Sequence, residues 1–202
     1  MSNETLVNHV DAAIFEMKAV RLALIASELA SGPKSTFTRA KALAIASTEA
    51  EKNAGWRVTG EAKKYTAKFE PALGKNRFPW CASFVTYCCE QAGLNIPMNC
   101  PTGYTFALCE AWQIWAQKNG FYIDNAEGVE AQPGDIVLFD WSQRSVNEGD
   151  TDWEDHIGFI VSKKSATEYV TAEGNVNDFT AKKIRFSVSM QGFIRIPDNY
   201  RF

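Results

Sequence analysis

The apolar residues change their period partway along the chain, and this change restricts the possible folds more than any other feature of the sequence. Within the first 119 residues, four segments have helical patterns, with apolar residues three or four positions apart as on one face of an α-helix, whereas 56–79 is mixed. The predicted helices are 5–31, 36–53, 81–92 and 105–119. Short β-prone runs follow, separated by turn residues, at 136–139, 157–161, 168–172, 184–188 and 193–196. Helices followed by strands predict an α+β domain whose helices pack on a central antiparallel sheet.

A turn at 32–35, with the sequence Gly-Pro-Lys-Ser, divides the chain into two predicted parts. These are an N-terminal helical extension, 1–34, and a main domain, 35–202. The extra helix carries an apolar stripe formed by Leu6, Val10, Met17, Val20 and Leu24. Such a stripe is too large to stay in water. We expect it to pack on the helix predicted at 36–53, with a second copy of the chain or a delivery protein as the alternative partners.

Charge and hydropathy argue against two classes of protein. The chain has 21 Lys and Arg against 24 Asp and Glu, a formal charge of −3, whereas a dedicated nucleic-acid binder normally has a basic surface. No apolar run approaches the ~20 residues of a membrane span. The N-terminus reaches its first basic side chain only at Lys18, unlike a secretory leader. We therefore expect synthesis in the cytoplasm without a signal peptide.

The chain has five cysteines, and no pair of them has the spacing of a zinc site. An odd number also argues against a complete disulfide framework. We expect Cys88, Cys89, Cys100 and Cys109 to be reduced thiols that pack as small hydrophobic side chains. We predict no metal site and no cofactor.

Cys81 differs from the others because Pro79 precedes it at the start of a predicted helix. In the first turn of a helix, free backbone N–H groups and the positive end of the helix dipole favour an anion. Both effects lower the pKa of a thiol and make a thiolate accessible near neutral pH. Cys81 is therefore the candidate nucleophile.

A thiolate nucleophile needs a base, and the chain contains only two histidines. We interpret His9, in the extension, as a surface or packing residue. His156 begins a predicted strand, which places its ring at the edge of the sheet, and Gly158 on the same face leaves room for a helix or for substrate backbone. Glu173 and Asn175 follow 17 and 19 residues later, the distance of a hairpin return, and either could orient the imidazole.

Four segments together resemble the CHAP family of cysteine, histidine-dependent amidohydrolases and peptidases, relatives of the papain-like cysteine peptidases. They are Pro-Trp-Cys-Ala-Ser-Phe-Val at 79–85, Pro-Gly-Asp-Ile-Val-Leu-Phe at 133–139, Asp-His-Ile-Gly-Phe-Ile-Val at 155–161 and Glu-Gly-Asn at 173–175. The resemblance spans roughly 40–196. It implies a papain-like fold with Cys81 as nucleophile, His156 as general base, Glu173 orienting the imidazole and Asn175 assisting. Family members mostly cleave peptidoglycan amides, and a few act on other amides such as spermidine conjugates.

The segment 141–155 is longer than the short turn usual in that family, and five of its residues are acidic. It is either a solvated loop, a calcium loop, although the EF-hand order of oxygens is missing, or a cleft wall that selects a substrate amine. Trp80, Trp141 and Asp155 are the candidate substrate-binding residues.

These observations favour a peptidoglycan hydrolase that reaches the cell wall by one of two routes. One is release of a phage lysin through a holin. The other, which we prefer, is injection as an antibacterial effector by a machine such as type VI secretion, with an immunity protein to block the cleft. The alternatives are an intracellular cysteine amidase acting on a small conjugate or an isopeptide bond, and a catalytically inactive binding module.

Overall fold

The structure is a computed structural model that describes residues 37–73, 78–141 and 156–202. The predicted N-terminal extension, with its apolar stripe and His9, lies outside the described residues. The helices are α1 (Arg39–Glu51), α2 (Lys63–Thr66), α3 (Glu70–Leu73), α4 (Cys81–Gln91) and α5 (Cys109–Lys118). The strands are β1 (Tyr122–Asp124), β2 (Ile136–Phe139), β3 (His156–Lys163), β4 (Glu168–Val176), β5 (Phe179–Phe186) and β6 (Met190–Ile194), with single 3-10 turns at Asn125–Glu127 and Ser187–Ser189.

The six strands form one sheet in the order β1-β6-β2-β3-β4-β5, and every neighbouring pair is antiparallel. One face packs against the helices, and its side chains include Ile157, Phe159 and Ala172. The other face carries a smaller apolar cluster around Phe139 and Tyr169. This arrangement confirms the predicted α+β class. No helix among the described residues is long and apolar enough to cross a membrane.

The predicted elements differ from the observed ones mainly where tertiary pairing sets the boundary. The fourth predicted helix begins at Cys109 rather than 105, because Thr105 pairs with Asn99 in an isolated β-bridge. The strand predicted at 184–188 is β5, which starts earlier and ends before Val188. Strand β1 was not predicted, since three residues are too few to show a period.

The buried side chain of Asp135 ties the start of β2 to both ends of the described chain. Arg39, at the start of α1, donates from Nη1 to Asp135 Oδ1 over 2.8 Å, and Arg195 donates from Nη2 to Oδ2 over 2.8 Å. Gly134, which precedes Asp135, has φ 88°, a conformation that favours glycine. A Cβ on Gly134 would also lie only 3.1 Å from the carbonyl oxygen of Arg39. The Pro-Gly-Asp segment is therefore a structural anchor.

Helix α4 lies against β4 at Gly174, where side chains at the helix start reach the backbone of the strand. A Cβ on Gly174 would lie 2.5 Å from Phe84 Cβ and 2.8 Å from Trp80 Cζ3. Trp80 and Phe84 are themselves fully buried; Trp80 stacks on Tyr65, and Phe84 contacts it edge-to-face. The missing side chain at 174 therefore determines how near the start of α4 comes to the sheet.

We predict that Gly174→Ala lowers the free energy of unfolding by about 1–3 kcal/mol, because the added methyl forces α4 away from β4. Gly128→Asn is the control: a Cβ there meets no atom within 4 Å, and asparagine tolerates its φ of 71°. Urea denaturation measures both variants. If Gly174→Ala unfolded like the parent protein, the close approach would not determine the position of the helix.

Candidate active site

Cys81 is the first residue of α4, as the sequence predicts, and its side chain is buried. The turn begins with a hydrogen bond from the Phe84 N–H to the Trp80 carbonyl, 3.0 Å long, so the N–H groups of residues 81–83 have no partner within the helix. The Ala82 N–H instead hydrogen-bonds to the sulfur of Cys81. The helix start thus supplies donors to a thiolate.

His156 is the first residue of β3 and lies between the thiol and a carboxylate. Its Nε2 is 2.8 Å from Glu173 Oε2, and the ring also hydrogen-bonds to Cys81. Because Glu173 occupies Nε2, the nitrogen that remains for the sulfur is Nδ1. Strand β3 is an interior strand, so the ring lies at the end of a strand rather than along an outer edge of the sheet.

The carboxylate of Glu173 is fully buried and is held by three side chains. Besides His156, Arg185 on β5 donates from Nε to Oε1 over 2.8 Å and from Nη2 to Oε2 over 2.5 Å. Thr171 donates its hydroxyl proton to Oε1 over 2.5 Å. Sequence reasoning missed both partners. Thr171 lies two residues before Glu173 and so shares its face of the strand, a signal that could have been used, whereas Arg185 depends on the β4–β5 register.

Gly158 does not have the neighbour that we expected from the sequence. It lies opposite Glu173 in the β3–β4 pair, and a Cβ there would be 2.7 Å from Glu173 Cγ. Gly158 therefore leaves room for the buried carboxylate and not for a helix or for substrate. The glycine that makes room for the helix is Gly174.

Asn175 lies beside the same cleft as His156, but the carboxylate bonded to the imidazole belongs to Glu173. Asn175 has φ 62°, and the β4–β5 register shifts between Glu173 and Val176. This bulge interrupts the simple alternation that would otherwise place residues 173 and 175 on the same face of the strand.

Cys109 has a neighbour that the sequence did not indicate. Its Sγ is 3.8 Å from the Sγ of Cys81, and both thiols are buried. Each is the first residue of a helix, so the N-termini of α4 and α5 converge at the thiol pair. The structure confirms that Cys109 is a buried thiol in the hydrophobic core, and it adds the contact with Cys81. No local pattern links two residues 28 positions apart.

The site stabilises an ionised thiol and an ionised imidazole together. The pKa of Cys81 lies well below its usual range, chiefly through the hydrogen bond with Cys109, which with His156 and the Ala82 N–H outweighs burial. Burial disfavours a charged imidazole, yet the bonds to Cys81 and Glu173 raise the pKa of His156 to about 9. Burial also opposes ionisation of Glu173, but Arg185 and His156 lower its pKa to about 2. Above the pKa of Cys81 and below that of His156, the pair is therefore thiolate and imidazolium.

A cleft of about 480 Å³ opens beside His156. It is lined by Pro79, Trp141, His156, Asn175, Val176, Asn177, Lys183 and Arg185. The ring of Trp141 stacks on the imidazole of His156, with centroids 5.3 Å apart. The guanidinium of Arg185 lies 4.8 Å from the centroid of the Trp141 ring. Trp141 is 40% exposed, so it has surface that a substrate could contact.

Of the other two candidate substrate-binding residues, only Trp80 belongs to the described part of the chain, and it does not line this cleft. Trp80 is fully buried and stacks on Tyr65, so we reassign it from substrate contact to packing. Asp155 and the rest of the acidic segment, 142–155, lie outside the described residues. Among the described residues, no group of three His, Cys, Asp or Glu side chains could hold a metal ion.

We predict that a small haloacetamide alkylates Cys81 at substantial rates already below neutral pH, because the thiolate persists at any pH above a lowered pKa. His156→Ala removes a hydrogen bond and a positive charge from the sulfur, so the pH dependence of alkylation should move to higher pH. Peptide mapping identifies the modified residue. Cys88 serves as an internal control, since burial raises its pKa far above the usual range. Equal alkylation profiles for the parent and His156→Ala would contradict the ion pair.

Comparison with known families agrees with this geometry. The model of the CHAP domain matches residues 73–175, about half of the 202-residue chain, and this segment contains Cys81, His156 and Glu173. A search of curated proteins gives no significant match. CHAP domains are papain-like, in accord with helices packed on one face of an antiparallel sheet. The chain therefore belongs to the CHAP-domain family of peptidoglycan amidase- and peptidase-type hydrolases.

Proposed function

We propose that this protein is a cysteine-dependent amidase or endopeptidase that hydrolyses an amide bond of peptidoglycan. Cys81 is the nucleophile, His156 the acid and base, and Glu173 the residue that orients the imidazole. One observation carries the proposal: a buried thiol at a helix N-terminus hydrogen-bonds to an imidazole whose other nitrogen binds a buried carboxylate. This is the arrangement that an activated thiol nucleophile requires.

The acylation step follows from the resting ion pair. The Cys81 thiolate attacks the amide carbonyl carbon, and the C–N bond then breaks with the sulfur bound to the acyl group. The backbone N–H of Cys81, at the start of α4, donates to the oxyanion that forms. The His156 imidazolium gives its proton to the leaving amine. Neutral His156 then takes a proton from water, which attacks the thioester and releases the acid and the thiol.

Glu173 has two roles in this proposal. Its bond to Nε2 fixes the ring so that Nδ1 faces the sulfur. Its negative charge also favours the imidazolium, which is the form that protonates the leaving amine. Arg185 keeps Glu173 ionised and in place, and so acts as a positioning residue.

Trp141 supplies an exposed aromatic surface next to His156, which we assign to substrate contact. The delivery route, a blocking immunity protein, a secretion carrier and a role as toxin or lysin stay predictions from the sequence.

We predict that Cys81→Ala lowers peptidoglycan hydrolysis by about 10³-fold or more, because no other group can replace the nucleophile. Cys88→Ala is the matched control, because it removes a buried thiol from the same helix. The raised pKa of that thiol makes it unreactive. Release of soluble fragments from purified sacculi measures activity, and mass spectrometry of the fragments identifies the bond. Hydrolysis of small amides with sacculi left intact would favour the intracellular amidase instead, and full activity of Cys81→Ala would contradict the mechanism.

We predict that Glu173→Ala lowers the rate of hydrolysis roughly 10²–10⁴-fold, because the imidazole loses its orientation and its counter-charge. Glu173→Gln should cost less, since the amide oxygen still accepts the imidazole N–H. Asn175→Ala should cost a small fraction of the Glu173→Ala loss, because His156 hydrogen-bonds to Glu173. A severe Asn175→Ala together with a silent Glu173→Ala would transfer the orienting role to Asn175.

A further inference from the structure

The thiol pair formed by Cys81 and Cys109 has a chemical consequence beyond amide hydrolysis. The two sulfurs are 3.8 Å apart, whereas a disulfide bond is about 2.05 Å long, so the sulfurs need to approach each other by less than about 2 Å to bond. The residues belong to two different helices that meet at their first turns. A bond between them would therefore join α4 to α5 directly at the reacting sulfur.

We propose that Cys81 and Cys109 are a redox modification site, at which a hydroperoxide forms a reversible disulfide that switches the enzyme off. The inference rests on Cys81 being the reactive thiol of the proposed function. It adds a second role for Cys109, that of the thiol that resolves oxidation of the nucleophile.

The chemistry balances in two steps. The Cys81 thiolate attacks the terminal oxygen of the hydroperoxide, the O–O bond breaks, and Cys81 becomes a sulfenic acid while hydroxide or an alkoxide leaves and takes a proton from water. The sulfur of Cys109 then attacks the Cys81 sulfur, the S–O bond breaks, and the oxygen leaves as water with the thiol proton. Two thiols are oxidised by two electrons in total, and the hydroperoxide is reduced by two electrons.

Burial of the site and contact between the two sulfurs favour Cys109 over external thiols as the group that reacts with the sulfenic acid on Cys81. Cys81 and Cys109 are 4% and 8% exposed, so small reagents such as a hydroperoxide or dithiothreitol reach them more easily than the thiol of another protein does. An internal thiol in contact with the sulfenic acid also has a high effective concentration. Disulfide formation then competes with further oxidation of the sulfenic acid to sulfinic acid, which is irreversible for an ordinary thiol.

The remaining cysteines are poorly suited to the reaction. Burial raises the pKa of both Cys88 and Cys89, so neither is a thiolate near neutral pH. The sulfur of Cys100 lies 3.1 Å from the hydroxyl of Thr102, which is not a redox partner. Among the described residues, the site therefore combines a thiol of lowered pKa with a second thiol in contact. In the oxidised form His156 would keep its bond to Glu173 but lose the thiolate, and hydrolysis would stop.

The test compares the parent protein with Cys109→Ser and with Cys88→Ala as the matched control. Each protein is treated with hydrogen peroxide and then with dithiothreitol, and its activity is expressed relative to its own untreated sample. We expect the parent and Cys88→Ala to lose activity and to regain most of it. Cys109→Ser should lose activity and regain almost none, because its Cys81 proceeds to sulfinic and sulfonic acid.

Mass spectrometry detects the same oxidation products without an activity assay. Its result therefore does not depend on which substrate the enzyme hydrolyses. The oxidised parent should lose two hydrogens and yield one cross-linked peptide pair containing Cys81 and Cys109. Cys109→Ser should instead gain two or three oxygens on Cys81. Sulfinic acid on Cys81 of the parent, or equal recovery of the parent and Cys109→Ser, would overturn the proposal even if the protein hydrolyses peptidoglycan.

Discussion

The buried carboxylate of Glu173 is the group on which the site depends. An unpaired charge in the interior is costly, and removing one partner of a buried pair typically costs about 3–5 kcal/mol. Glu173 avoids this cost because Arg185 on β5 and His156 on β3 both donate to it. Three adjacent strands are thus linked through one side chain. The ionised groups then follow one another as thiolate, imidazolium, carboxylate and guanidinium, so each charge has a neighbour of opposite sign.

Two glycines in neighbouring strands let this chain of charges meet the helix. Gly158 leaves space for the Glu173 side chain on one face of the sheet, and Gly174 leaves space for α4 on the other. Glu173 therefore lies on the face opposite the helices. His156, as the first residue of its strand, stands where the end of the sheet meets the start of α4 and can contact both Cys81 and Glu173.

The sequence predicted the parts of the site that have a strong local signal. Pro79 before a helical pattern placed the start of a helix at Cys81, and a run of β-branched and aromatic residues placed a strand just after His156. The hairpin distance placed both Glu173 and Asn175 near the imidazole, and the structure shows that Glu173 makes the hydrogen bond. Boundaries that rest on pairing between distant residues were less accurate, as at the ends of β5 and β6.

The amino-acid sequence by itself determined the fold class, the helix start that favours a thiolate and the order of the reactive residues, because each depends on periodicity or on neighbours a few positions away. Tertiary structure decided which residues surround them. The Arg185 bond to Glu173 requires the register of two strands, and the contact of Cys109 with Cys81 requires two helices to converge at their first turns. Such contacts arise from packing of distant segments, which no spacing along the chain encodes.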